Sequence, residues 1–469
     1  MIVHVLAVDY DGTIAEDGQV TAPTAAALQR VRASGRKLVL VTGRLLDDLH
    51  RVCPGVDGMF DAVVAENGAL VFFPARREVH TLGAGPEPAL LDSLRRHGVH
   101  FELGTSIIAT HADFAEAALA AIRETGVERT LVFNKGSLML LPGGVTKGTG
   151  LAGALTAFDL SPHNLIGIGD AENDHAFLAM CEGAVAVADA VAALRGRADY
   201  VTRGGAGAGV VEFIEEHLMA DAIGLIPRLA RHRLHVGQAI GGDPVTLPAH
   251  ATALLIVGPS ASGKSTLIGI LVERLAQAGR AFCLLDPEGD HTALGELEGV
   301  VVLGGKPEPG LPVAEELGQL LRRPSGRLVL NLSHLAMPEK VIYATQVLET
   351  VGGVRRAQGL PHWLIVDEAH RVVPAEGSTA AELLPRAGHS LVLTTLTAEH
   401  IAPQVRQAVG DLASTDAEAF QQALRTLATD RGDRTPRPGF SGDLRRGEAL
   451  LATLGEGPPR AVRFAIDRP

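Results

Sequence analysis

The sequence predicts an α/β protein of two parallel-sheet domains in tandem, the first interrupted by a small α+β insertion. Three observations lead there. The chain of 469 residues is too long for one ordinary domain. Two apolar strand–loop–helix openings stand far apart, IVHVLAVDYDGT at residues 2–13 and ATALLIVGPSASGKST at residues 251–266. Between residues 78 and 142 the long apolar runs give way to short strand patterns (EVHTL, VHFEL, TLVFN, SLMLL) and two helical stretches near 87–97 and 112–125.

Taken in order, residues 2–8 are apolar enough for a central parallel strand covered on both faces. VLVTGR (39–44) reads as a second strand with its exit loop, and residues 61–73 supply a third apolar stretch containing Asn67-Gly68. After the insertion the pattern resumes at LIGIGD, residues 165–170. An insertion beside a parallel sheet is placed to act as a lid. Residues 213–231 read as helix, and residues 232–250 as a hairpin with Gly-Gly-Asp turn chemistry. The expected domains are therefore 1–220, with its cap at about 78–142, a linker and lead-in hairpin at 221–250, and 251–469. Further strand ends in the second domain are FCLLDPEGDH (282–291), LVLNLSHL (328–335), HWLIVDEAH (362–370) and SLVLTTLT (390–397).

Composition narrows the function classes. Residues 1–220 hold 17 Lys+Arg against 27 Asp+Glu, a balance of −10, and residues 221–469 hold 25 against 27, a balance of −2. Neither half is basic, so charge gives no support to DNA as a partner. No apolar run approaches the roughly 18–20 residues that span a bilayer, and the opening MIVHVLAVDY lacks the basic start of a signal peptide. Cys53, Cys181 and Cys283 show no metal spacing and read as small hydrophobes of a reducing cytoplasm, the expected location.

Asp9 and Asp11 of DYDGT follow the first strand directly, where open parallel sheets build their sites. Two carboxylates two residues apart can divide phosphoryl transfer: one attacks phosphorus, and the other shuttles a proton. Such acids repel one another unless a cation neutralises them, and Mg2+ prefers oxygen ligands. Thr42 and Gly43 end a strand and can hold a phosphoryl oxygen. Lys147 offers a point charge for developing negative charge, and Asp170 and Asp174 of GIGDAENDHAFL again follow a strand.

DYDGT, VTGR, TKG and GDAEND in this order resemble the haloacid dehalogenase-like phosphatases, over residues 1 to about 218. The insertion is similar to a short cap of the Cof-type sugar-phosphate and phosphoglycolate phosphatases. The resemblance implies a Rossmann-like core that hydrolyses a small phosphorylated metabolite through an aspartyl-phosphate. It implies Asp9 as nucleophile, Asp11 as general acid and base, and Thr42 and Lys147 as phosphoryl ligands. Mg2+ would be held by Asp9, Asp170, Asp174 and the Asp11 backbone carbonyl, with Asn67 and Asn173 near the site.

In the second domain Gly258 to Ser265 matches GxxxxGK[ST] between a strand and a helix, the context of a phosphate-binding P-loop. Backbone N–H groups and the positive helix end cradle phosphates there. The motif expects Gly258, Ser262, Gly263, Lys264, Ser265 and Thr266 to bind ATP, with Lys264 on the β- and γ-phosphates and Ser265 on Mg2+. In HWLIVDEAH, Asp367 suits the magnesium water shell and Glu368 suits activation of the attacking water. Together with DPEGDH and NLSHL these segments resemble the HerA/FtsK-like ATPases over about residues 232–465. That resemblance implies a P-loop NTPase domain in a homo-oligomeric ring, with an arginine lent by the neighbouring subunit, for which Arg386 is a candidate. Thr394 and Thr395 stand where a Thr-Gln pair is common, without the glutamine. The family's N-terminal β-barrel is absent, its place taken by the phosphatase.

Two rival readings bear on the same residues. A nucleic-acid end-processing enzyme would also join such a phosphatase to a P-loop kinase, but the cap, the large second domain and DEAH weigh against it. A nucleotide-gated regulatory module would bind ATP without turnover, against which Glu368 argues.

Overall fold

The strand Val5–Val8 is buried along its whole length and organises the first of two compact units, Ile2–Gly224. The computed structural model describes residues 2–134, 136–222, 224–225, 229–250, 252–305, 310–373, 375, 379–386, 390–432, 444–454 and 460–467. In the first unit's eight-stranded sheet the order is Tyr200–Val201, Gly183–Ala186, Leu165–Gly169, Val5–Val8, Lys37–Val41, Ala62–Ala65, Leu70–Phe73, Glu78–Thr81. The first six run parallel; Leu70–Phe73 turns back antiparallel to them, and Glu78–Thr81 pairs antiparallel with it. VLAV, KLVLV and LIGIG read as near-continuous apolar runs because helices cover both faces of a parallel sheet. Register pairs Val8 with both Ile168 and Leu40, so three strands end level and Asp9, Thr42 and Asp170 emerge side by side.

The insertion forms its own four-stranded antiparallel sheet, ordered Arg129–Asn134, Ser137–Pro142, Ile108–His111, Phe101–Leu103. Helices Pro88–Arg96 and Ala115–Thr125 pack on it around Leu90, Leu94, Ile108, Ala118, Leu138 and Leu140. EVHT at residues 78–81 pairs with Leu70–Phe73 and so belongs to the core sheet instead of the insertion. The helix expected over 213–231 stops early. Ala206–Phe213 continues only to Leu218, and Asp221 and Ala222 then take left-handed φ values of 60° and 52°. Asp221 turns back because its carboxylate accepts the N–H groups of Ile2 and Val3 and pairs with the Arg36 guanidinium.

The second unit, Leu225–Pro469, is built on an eleven-stranded mixed sheet. Its order is Pro244–Leu247, Leu234–Ala239, Arg460–Ile466, Glu448–Thr453, Asp411–Ser414, Ala253–Val257, Leu391–Thr395, Trp363–Val366, Phe282–Asp286, Arg327–Asn331, Val300–Gly304. The seven from Asp411–Ser414 onward are parallel, and the first four are antiparallel. Leu254 and Ile256 pack into one apolar cluster and Leu255 and Val257 into another, so both faces of the central strand are covered. The lead-in hairpin is part of this sheet: Leu234–Ala239 pairs with Arg460–Ile466, and its Leu234, Val236, Val245 and Leu247 join the core. Among the described residues no helix is long and apolar enough to cross a membrane.

Candidate active sites

In the first unit, the helix Lys147–Ala157 begins with a capping box in which Thr146 and Thr149 exchange side-chain-to-backbone hydrogen bonds of 3.1 and 2.9 Å. This fixes Lys147 at the first helical position. Its buried ammonium donates to Asp9 Oδ1 at 2.5 Å and to Asp174 Oδ1 at 2.6 Å. The other Asp174 oxygen accepts the N–H groups of Asp170 and Ala171, at 2.8 and 2.9 Å. Asp170 Oδ1 accepts the Thr13 hydroxyl at 3.0 Å. Oxygens of Asp9, Asp170 and Asp174 lie within 4.8 Å of one another, all buried.

Three clustered carboxyl groups thus have one ammonium among them, bonded to two of them. Burial pushes the Asp9 carboxyl well above the usual range, against the pull of Lys147 and with the push of Asp174 and Asp170. Burial alone would lower the Lys147 ammonium, but Asp174 and Asp9 outweigh it and hold it raised. The residual negative charge and the all-oxygen donor set fit a divalent cation such as Mg2+.

Gly68 lets the lysine helix approach. Its φ is 102°, and an added Cβ would lie 1.9 Å from the Thr146 carbonyl oxygen. Gly68→Ala is therefore expected to cost at least about 2 kcal/mol, through overpacking and backbone strain. The check is thermal unfolding with a phosphatase assay: both melting temperature and activity should fall.

Thr42 is buried, and its hydroxyl accepts the Arg44 N–H at 3.1 Å. Asn67 and Asn173 meet through a 3.0 Å hydrogen bond from Asn173 Nδ2. Asp11 stands apart from the buried triad, half exposed and gripped by Arg44, whose Nε and one terminal nitrogen each donate at 2.7 Å. Each Asp11 oxygen accepts one of these bonds. Arg44 ends the VTGR segment but has no role in the sequence reading. Glu66 was also missed: its carboxylate accepts the N–H groups of Thr105 and Ser106 in the insertion, at 2.8 and 3.1 Å. The Glu-Asn-Gly stretch signals a turn but not this remote partner. Core and insertion border an open cleft of about 700 Å³, lined on one side by Asp9, Asp11, Arg44 and Asp48 and on the other by Glu102, His111, Asn134 and Met139.

In the second unit the strand Ala253–Val257 leads into a loop with three left-handed or glycine-type residues, Gly258, Ala261 and Gly263, before the helix Lys264–Gln277. Lys264 Nζ donates to the Gly258 and Pro259 carbonyls at 3.0 and 3.1 Å and lies 3.3 Å from Glu368. Ser262 accepts the Thr415 hydroxyl at 2.8 Å, and Ser265 and Thr266 are exposed in the first helical turn. Asp367 is buried. Its Oδ1 accepts the Thr394 hydroxyl, and its Oδ2 lies 2.8 Å from His291 Nε2. Glu368 takes a left-handed φ of 41°, its N–H donating to Thr394 Oγ1 at 2.9 Å and its carboxylate 3.4 Å from His370. Thr395 Oγ1 lies 3.4 Å from His370 Nδ1. The side chain of Arg386 lies outside the described residues. His291 was missed, although DPEGDH was singled out, because its partner is 76 residues away.

Residues 6–103 and 99–214 match the haloacid dehalogenase-like hydrolase family. Over this N-terminal part the chain belongs to that family. It is 30% identical over 226 residues to phosphoglycolate phosphatase 2 of Saccharolobus solfataricus, covering 46% of this chain and 93% of the relative. It is 31% identical over 222 residues to the phosphoglycolate phosphatase of Methanothermobacter thermautotrophicus, covering 45% of this chain and 98% of the relative. A solved haloacid dehalogenase-like hydrolase from Bacteroides thetaiotaomicron aligns with a TM-score of 0.40 at 19% identity, over 45% of this chain and 98% of that one.

Proposed function

We propose that the N-terminal unit is a magnesium-dependent phosphatase acting on a small phosphate monoester, and that the C-terminal unit binds and hydrolyses ATP. The observation that carries the first half is the buried meeting of Asp9, Asp174 and Lys147 beside Asp170 at level strand ends. In this reading Asp9 attacks phosphorus and forms an aspartyl-phosphate while Asp11, turned out of the Arg44 fork, protonates the leaving oxygen. Asp11 then takes a proton from the water that attacks the same phosphorus, which returns Asp9 to its starting state. Lys147 and Thr42 hold phosphoryl oxygens. Asp9, Asp170, Asp174 and the Asp11 carbonyl would hold Mg2+, which supplies charge neutralisation for an anionic substrate approaching an acidic site.

The relatives' names make 2-phosphoglycolate the first monoester to test, and a cleft of about 700 Å³ makes sugar phosphates the next. Phosphate release from a panel of these, with Mg2+ or with EDTA, tests the reading. Activity confined to 3′-phosphorylated oligonucleotides would sink it in favour of end processing.

Lys147→Met removes the only ammonium hydrogen-bonded to Asp9 and Asp174 among the described residues. It is expected to cost about 3–5 kcal/mol, the scale for breaking a buried ion pair. Added Mg2+ should return part of that loss in a melting experiment, because a cation relieves the same repulsion.

For the C-terminal unit the support is the loop before Lys264–Gln277, with Lys264 beside Glu368 and Asp367 held from two sides. Lys264 would bind the β- and γ-phosphates, Ser265 and the water shell held by Asp367 would position Mg2+, and Glu368 would activate water. A ring of copies of this chain is part of the proposal through likeness to HerA/FtsK-like proteins, and a cytoplasmic location through the unpaired spacing of its three cysteines; the charge balance gives DNA no support as a partner.

A further inference from the structure

Asp286 ends the strand Phe282–Asp286, level with the strand end that carries Asp367, since Leu285 pairs with Val366. Its buried carboxylate gathers the loop that follows. One oxygen accepts the N–H groups of Gly289 and Asp290 at 2.8 and 3.1 Å, and the other accepts that of His291 at 2.9 Å. Gly289, at φ 82°, sits where a side chain would be strained and tight: a Cβ would lie 3.0 Å from the Asn331 amide and 3.1 Å from the Ser333 hydroxyl. The turn is thus held by Asp286, and it aims the buried His291 imidazole at Asp367 Oδ2. Further out, Glu288 lies 3.3 Å from Arg371 and 3.5 Å from Lys340, whose ammonium also donates to the Pro287 carbonyl at 2.6 Å. The loop 286–291 is stitched to the segment 367–371 at two points, one at Asp367 and one just beyond Glu368.

We infer that His291 is a positioning residue for ATP hydrolysis: with Thr394 it clamps the Asp367 carboxylate, and so sets the backbone that presents Glu368 to Lys264. The inference rests on the ATPase reading above. Thr394 binds both Asp367 Oδ1 and the Glu368 N–H, so the two acids move as one piece, and His291 is the hydrogen-bond partner on Asp367's remaining oxygen. With one clamp removed, Asp367 can rotate about its χ angles, and both the magnesium water shell and Glu368 lose their setting.

The experiment uses the full chain and compares wild type, His291→Ala, His291→Gln and Glu288→Gln. ATP hydrolysis is followed over a range of Mg2+, and ADP binding is measured in EDTA. His291→Ala should lower kcat by about 10–100-fold, the cost of a small misplacement of catalytic groups, and raise the Mg2+ needed for half-maximal rate. Binding of ADP without metal should stay within about twofold, because the phosphate loop itself is untouched. His291→Gln, whose amide N–H reaches as far as Nε2, should recover much of the rate. Glu288→Gln loosens the outer stitch at a partly exposed position and should move kcat and the Mg2+ requirement in the same direction, by less. A wild-type rate in His291→Ala, or His291→Gln as slow as His291→Ala with unchanged melting, would overturn the inference. If both His291 variants fail to fold, a wild-type rate and Mg2+ requirement in Glu288→Gln would do so. Wild-type protein with no hydrolysis that Lys264→Ala abolishes would instead sink the ATPase reading, and this inference with it.

Discussion

Asp9→Asn will abolish phosphate release from monoesters, by on the order of 10⁴–10⁶-fold, the scale of losing a covalent nucleophile. An amide is no nucleophile toward phosphorus, and the neutral side chain removes one of the two acids hydrogen-bonded to Lys147. The fold should survive. Asp9 is buried with its carboxyl pushed up by burial, so replacing it with a neutral group of the same shape relieves an electrostatic cost. Melting temperature should hold or rise while activity disappears. All of its hydrogen-bond partners lie within Ile2–Gly224, so ATP hydrolysis should continue at its wild-type rate. Loss of both activities would show that the two units are coupled.

Glu368→Gln is the counterpart in the second unit, with steady-state ATP hydrolysis falling by about 10²–10⁴-fold, the range for a general base. Nucleotide binding should persist, because Lys264 and the phosphate loop are unaltered. The glutamine amide can no longer form the 3.3 Å ion pair with Lys264, which frees the ammonium for phosphate oxygens, so affinity for ATP should hold or tighten. Filter binding and a coupled assay on the same preparation check both halves of this expectation. Turnover that survives would remove Glu368 from the role of base.

Much of both sites was legible in the sequence because parallel strands write themselves as apolar runs. VLAV, LIGIG, ALLIV and WLIV each lead directly into candidate site residues, and level register brings the strand ends within each sheet together. What could not be read depends on partners far along the chain. The hairpin at 234–247 looks like a connector until Arg460–Ile466 pairs with it. The helix expected to reach 231 ends at Leu218 because Asp221 is claimed by the chain's first residues. Ile108–His111, a cap strand only partly buried, lacks the apolar run that would have marked it. Glu66 and His291 are ordinary polar residues in turns, and their significance lies in contacts 39 and 76 residues away.

The most direct test of the central claim is phosphate release from 2-phosphoglycolate and small sugar phosphates by the purified full chain, run beside Asp9→Asn and with Mg2+ or EDTA. The account predicts turnover of at least one monoester that requires Mg2+ and vanishes in Asp9→Asn. Turnover that persists in Asp9→Asn, or no Mg2+-dependent turnover of any monoester, would contradict it.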